Sequence, residues 1–285
     1  PEEIKKSDSI IFFSENDGIK TGKFEEILKE YEKMHDVKYK KEKENKLCNL
    51  LDEKIKRKNA KIILENINYY HTEDNRNLIN NLTVSIPEKE ITAIIGKTGS
   101  GKTTLIEIIY GLLELDNRFN GKISFHFSGE EIIIDKSRKA QKSIGKVREK
   151  MAVVFQNMES QFFESTVRKE IEYNIIKKYA FRENSVFIEE KIKNTMERTG
   201  LDEKYLEKSP FLLSDGEKRL VGIAMALSTD PEILFLDEPT DSLDYGVIKK
   251  IMELMEKLKK EDMTIILVTH DKNVVNQYAD NYIQL

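Results

Sequence analysis

Cysteine is nearly absent: Cys48 stands alone among 285 residues. A single thiol excludes a disulfide framework and fits a reducing cytoplasm. Long hydrophobic runs are missing too. No apolar stretch approaches the roughly 18 to 20 residues that a bilayer-crossing helix needs, so a role at a membrane has to run through a partner. Neither sign of charge dominates. Basic side chains number 47 against 51 acidic ones, for a formal net charge of −4, which leaves no global basic surface for nucleic acid. No nucleic-acid partner is expected. The length suffices for a full α/β core with something extra.

What is present is organised around residues 96–103, Gly-Lys-Thr-Gly-Ser-Gly-Lys-Thr. This is G-x-x-x-x-G-K-[ST], and its flanks supply the context the pattern needs. Ile91-Thr92-Ala93-Ile94-Ile95 before it reads as a strand buried on both faces of a parallel sheet. After it, Leu105, Ile108, Ile109, Leu112 and Leu113 recur at helical spacing. A strand turning sharply into a helix leaves backbone N–H groups converging at the positive end of the helix dipole, where a polyphosphate is held. Gly96, Gly99 and Gly101 let the backbone curl, Lys102 brings charge to the β- and γ-phosphates, and the Thr103 hydroxyl can sit on Mg²⁺.

Upstream, Ile10-Ile11-Phe12-Phe13 predicts a strand, Asn16-Asp17-Gly18 a turn, and Phe24 to Met34 a helix with a stripe at Phe24, Ile27, Leu28 and Tyr31. Residues 37–60 are basic, with Lys38, Lys40, Lys41, Lys43, Lys46, Lys54, Lys56, Arg57 and Lys58 against four acids. They read as a solvated, partly helical linker or, alternatively, as a patch touching phosphate or RNA. Ile62-Ile63-Leu64 and Leu82-Thr83-Val84 look like strands of an antiparallel layer. Tyr69, Tyr70 and His71 close the first of these and either stack on a purine or simply pack.

Met151 to Phe155 is another buried-strand run, followed by Gln156. From 157 to 213 strand character gives way to helical patches at Ile171, Ile175 and Ile176, then at Ile188, Ile192 and Met196, which predicts an inserted helical subdomain. Ser214-Asp215-Gly216-Glu217 opens a helix from Lys218 to about Ser228, as a capping box or as a second helix N-terminus facing a phosphate. Ile233 to Leu236 is a fully apolar strand ending in Asp237 and Glu238, at the carboxyl end where α/β sheets bind ligands. There Asp237 is placed to hold Mg²⁺ through water, and Glu238 to orient the attacking water or accept its proton. The strand Thr264 to Thr269 ends at His270, positioned as a γ-phosphate sensor.

Together these residues resemble an ABC ATPase. In order they match the Walker A motif at Gly96–Thr103, the Q-loop at Gln156, the signature at Leu213–Glu217, Walker B at Ile233–Asp237 with Glu238, the D-loop at Ser242–Asp244, and the switch His270. The run Val154-Phe155-Gln156-Asn157-Met158-Glu159-Ser160-Gln161-Phe162-Phe163, with Thr166-Val167 and Glu170-Ile171 beyond it, is similar to energy-coupling-factor (ECF) transporter ATPases.

The resemblance implies a P-loop NTPase (RecA-like) α/β fold over 61–285, with a mainly parallel sheet core, an antiparallel β layer and a helical subdomain at about 157–215. It implies ATP and Mg²⁺ as ligands. Nucleotide contacts fall to Gly96, Lys97, Thr98, Gly99, Ser100, Gly101, Lys102, Thr103 and Thr104, with Tyr70 or His71 on the adenine and Ser214 and Gly216 reaching a partner's ATP. Metal contacts fall to Thr103, Gln156 and Asp237, and catalysis to Glu238, His270, Gln156 and Lys102.

Implied partners are a second ABC ATPase domain, in tandem or as a heterodimer, a membrane coupling (T) subunit docking beside the Q-loop, and a substrate-binding (S) subunit. The chain would then sit peripherally at the cytoplasmic face of the membrane, driving uptake of a vitamin or metal ion. The rival expectation is a soluble translation-factor ATPase acting on the ribosome. Two departures stand out: Asp215 replaces the first glycine of LSGGQ, and Met158 stands where the subfamily has proline. Finally, Ser7 to Phe13 resembles Ala279 to Leu285, and the glycine-spaced residues after Phe13 resemble the tail that ends such domains. Residues 1–36 are therefore expected to be the tail of a preceding ATPase domain, joined by the linker to a second one truncated at its own end.

Overall fold

The computed structural model describes residues 10–14, 18–22, 59–71, 76–179 and 184–285. The helix expected over Phe24–Met34 and nearly all of the basic stretch 37–60 lie outside the described residues. The chain divides into two units, Pro1–Cys48 and Asn49–Leu285. In the first, β1 (Ile10–Ser14) pairs antiparallel with β2 (Gly18–Gly22), from Ile10 opposite Gly22 to Ser14 opposite Gly18. The sequence predicts β1. Glycine-bounded β2 carries little strand signal of its own and is a strand because β1 lends it a ladder partner.

The second unit begins with β3 (Ala60–His71) and β4 (Arg76–Pro87), then β5 (Ile91–Ile95), α1 (Lys102–Tyr110), β6 (Phe119–Phe127) and β7 (Glu130–Ile134). Two short helices, α2 (Arg138–Lys142) and α3 (Ile144–Arg148), lead to β8 (Met151–Val154). The helical insertion follows as α4 (Val167–Tyr179), α5 (Ser185–Thr199) and α6 (Asp215–Leu227). The chain then re-enters the sheet through β9 (Ile233–Asp237), α7 (Tyr245–Lys260), β10 (Thr264–Val268), α8 (Lys272–Tyr278) and β11 (Asn281–Gln284).

Five strands form a parallel sheet in the order β11-β5-β10-β9-β8, and four form an antiparallel sheet in the order β4-β3-β6-β7. Every residue of β9 and β10 is buried, as a parallel strand covered on both faces must be. Successive side chains alternate between two cores. Leu234, Leu236, Ile265 and Leu267 join the helical side with Ile171, Ile192, Val221 and Met255. Ile233, Phe235, Ile266 and Val268 face the other way, onto α1 and the antiparallel sheet through Leu105, Ile109, Ile62 and Phe125. Each such aliphatic side chain contributes on the order of 1.5–3 kcal/mol by leaving water. The helix predicted from Lys218 starts earlier, at Asp215, because the Ser214–Glu217 capping box satisfies donors that would otherwise leave the first turn frayed.

Candidate active site

The parallel sheet hands its strands to one edge, and the site is built where β5, β9 and β10 end. Between β5 and α1 the loop turns on Gly101, whose φ of 94° lies in the left-handed region. A Cβ there would stand 3.2 Å from the Leu78 carbonyl, so glycine is needed for both reasons. No side chain caps α1, and the N–H groups of its first turn are left for the loop's ligand. Lys102, 9% exposed, donates from Nζ to the carbonyls of Gly96 at 3.0 Å and Lys97 at 3.2 Å. Its charge is thus held inside the curl of the loop. Ser100 N closes the same curl on the Lys97 carbonyl at 3.1 Å.

At the end of β9, Asp237 accepts the Thr103 hydroxyl on Oδ2 at 3.0 Å, whereas its Oδ1 is buried without a hydrogen-bond partner. Burial pushes the Asp237 carboxyl above its ordinary range, aided by the charge of Glu238 and opposed by Thr103, Lys102 and Arg219. The next residue, Glu238, has a φ of 47°, uncommon for a non-glycine residue, and is held by its N–H on the Val268 carbonyl at 2.9 Å. That turn brings Glu238 Oε2 to 3.0 Å from His270 Nδ1. Gln156, just beyond β8, donates from Nε2 to Asp241 Oδ2 at 3.2 Å.

These groups line one cleft of about 490 Å³, which gathers Lys102, Thr103, Gln156, Asp237, Glu238 and His270 with Thr98, Gly99, Gly101 and Thr104. Two further lining residues, Leu78 and Asp241, go unmarked in the sequence. Leu78 is an ordinary apolar strand residue with no signal to read. Asp241, four residues past Asp237, could have been found from the carboxylate-rich turn it closes.

Tyr70 and His71 end β3 opposite Asn77 and Arg76, and Tyr70 is not among the residues lining the cleft. Tyr69 beside them is buried beneath the Arg118 guanidinium, 5.9 Å from its ring. Ser214 and Gly216 also lie apart from this cleft, at the start of α6. There Ser214 N donates to Glu217 Oε2 at 2.8 Å, and the Tyr205 hydroxyl donates to Glu217 Oε1 at 2.8 Å.

Comparison with known proteins identifies the family. The ABC transporter family model matches residues 79–241. EcfA2 of Mesomycoplasma hyopneumoniae (strain 7448), an energy-coupling factor transporter ATP-binding protein, is 38% identical over 206 residues, covering 70% of this chain and 68% of its own. The structure of cbiO1 from Clostridium perfringens, part of the ABC transporter complex cbiONQ, matches with a TM-score of 0.66 at 32% identity over 79% of this chain and 84% of that one. The dimeric ATP-binding cassette MJ0796 bound to ADP and Pi matches with a TM-score of 0.66 at 28% identity, over 79% and 94%. A phosphate loop, a buried carboxylate pair and these likenesses lead to one conclusion: the chain belongs to the ABC transporter family of ATPases, with the ATP-binding proteins of energy-coupling factor transporters.

Proposed function

We propose that this ATPase energises uptake of a vitamin or metal ion, working opposite a second ATPase domain and docked at the cytoplasmic face on a membrane coupling subunit that carries a separate substrate-binding subunit. The observation that carries the catalytic part is Asp237 Oδ1, a buried carboxylate oxygen with no partner next to the Thr103 hydroxyl. Hard oxygen donors of this kind fit Mg²⁺. Among the described residues no three His, Cys, Asp or Glu side chains are gathered as a cage, so phosphate oxygens and water would complete the shell around Thr103, Asp237 and Gln156. When bound, the ion would neutralise charge on the transferring phosphoryl group.

The protein's own groups do the rest. Lys102 and the N–H groups at the start of α1 hold the β- and γ-phosphates. Glu238 takes a proton from the attacking water as its oxygen bonds to the γ-phosphorus and the bridging β–γ oxygen leaves with ADP. His270 fixes the Glu238 carboxylate and reads the γ-phosphate. An aromatic pair supports docking beside the Gln156 loop. Phe163, 58% exposed, lies edge-on to Tyr173 with centroids 4.7 Å apart. The buried Glu170 carboxylate shapes the loop that carries Phe163 by accepting the N–H groups of Phe163 at 2.6 Å and Glu164 at 2.8 Å. Such a patch suits an apolar helix of the membrane subunit.

Purification of the tagged protein from its native membranes tests the assignment. A polytopic membrane protein should accompany it; ribosomal RNA in its place would favour the translation-factor role and sink the transport one. Residues 1–36 are read as the closing segment of another ATPase domain, since β1 takes strand form as its look-alike β11 does. Sequencing the intact gene tests this, and the absence of a second phosphate-loop motif ahead of it would end the idea.

A further inference from the structure

One face of α6 is keyed into the loop that follows β8. Arg219, 6% exposed, donates to the Phe155 carbonyl at 2.8 Å through one terminal nitrogen and to the Gln156 carbonyl at 3.1 Å through the other. Lys218, also buried, donates to Glu159 Oε1 at 2.5 Å. One turn further, a Cβ at Gly222 would stand 1.9 Å from the Met158 methyl. Positions 218, 219 and 222 share the spacing of a single helix face.

Burial of a guanidinium is costly, and it pulls the Arg219 pKa below its usual value against the opposing charges of Asp241, Asp237 and Asp215. Its Nε is buried with no partner. A cation engaged with two main-chain carbonyls instead of a carboxylate is a weak source of stability but a good source of geometry, because its planar fork fixes two successive peptide units. Those units carry Gln156, whose amide enters the phosphate cleft beside Asp241.

We propose that Arg219 is a positioning residue for hydrolysis: its guanidinium sets the Gln156 backbone so that the side-chain amide reaches the metal and water side of the cleft, and ties that loop to the helix beginning after Ser214. This rests on the reading of Gln156 as a group that acts on the metal and the attacking water.

The test uses the protein assembled with its ATPase partner. Steady-state hydrolysis and binding of a fluorescent ATP analogue are compared for Arg219→Met, Arg219→Lys, Gln156→Ala and the Arg219→Met/Gln156→Ala double variant. Arg219→Met lowers kcat by about tenfold to a hundredfold, the range for loss of an orienting partner, while analogue affinity is unchanged. Arg219→Lys, which keeps the charge and one donor direction, recovers part of the rate. The double variant turns over at the rate of Gln156→Ala alone. Losses that multiply in the double variant, or an Arg219→Met protein with native kcat, overturn the proposal. A Gln156→Ala protein with native kcat overturns the underlying reading of Gln156 instead. Should Arg219→Met fail to fold, Arg219→Lys carries the same comparison, slowing turnover on the native background and not on the Gln156→Ala background.

Discussion

Asp237 is a carboxylate kept out of water with one oxygen unanswered. Because burial raises its pKa, the folded protein still holds a proton at pH values where the unfolded chain has lost it. Stability therefore falls as pH rises from the ordinary carboxylate value through the raised one, and the deficit persists to neutrality. Asp237→Asn removes the charge and should gain about 1 kcal/mol, or ~2–4 °C in Tm for a domain of this size. It should also flatten the pH profile of stability and abolish metal-dependent hydrolysis. Calorimetry across the acidic range checks it, and a variant less stable than the native protein at neutral pH would contradict the account. Glu238 is expected to differ. Glu238→Gln should bind ATP normally and turn over roughly a hundredfold or more slowly, the scale for losing one preorganised catalytic group. Unchanged hydrolysis in the assembled complex would remove Glu238 from its role.

Among the elements, α6 and the loop after β8 fit each other through Gly222 and Met158, since the methionine methyl occupies the space a larger residue at 222 would need. Gly222→Ala alone should cost about 1–3 kcal/mol by overpacking. On a Met158→Ala background the same change should reverse sign and stabilise by about 1 kcal/mol, because alanine is the better helix former once the clash is gone. Urea midpoints of the four proteins decide it; equal effects on both backgrounds would rule out the contact as the cause. This pair also shows where the sequence stops being readable. The phosphate loop and the carboxylates of β9 are legible because each is a local pattern set by its own strand or helix. The contacts of Phe155, Gln156 and Met158 with α6 join residues 63 or 64 positions apart, and no local periodicity carries that pairing. Met158 therefore reads in sequence only as a departure from proline.

At the scale of the molecule, the two-sheet architecture and the helical insertion follow from runs that are apolar on both faces, from alternating ones and from helical stripes, all of which the chain displays openly. The composition of a facing site does not follow in the same way. Asp215 is exposed in the first turn of α6, 3.8 Å from Lys218, where, in the facing arrangement proposed above, a carboxylate would compete with a partner's phosphate for the positive end of the helix. In the assembled complex Asp215→Gly should raise turnover by about two- to fivefold, the worth of a dipole term of roughly 0.3–1 kcal/mol. The isolated chain should not respond, because Asp215 does not line its own cleft. Phosphate-release assays with and without the partner compare the two, and a gain in the isolated chain would contradict the facing arrangement.

The opposite end of β9 has a different character. Glu232 there accepts Lys61 at 2.5 Å and Lys150 at 2.8 Å, while both ammonium groups lie over the Phe127 ring, at 4.7 and 4.8 Å from its centroid. The two lysines hold the Glu232 carboxyl below its usual range despite partial burial, and the clasp fastens the antiparallel sheet to the base of the parallel one. Five residue steps along β9, about 17 Å of extended chain, lead from Glu232 at this foot to Asp237 at the reactive tip. Endurance under heat or salt can therefore be retuned at the foot while the speed of the motor, decided at the tip, keeps its setting.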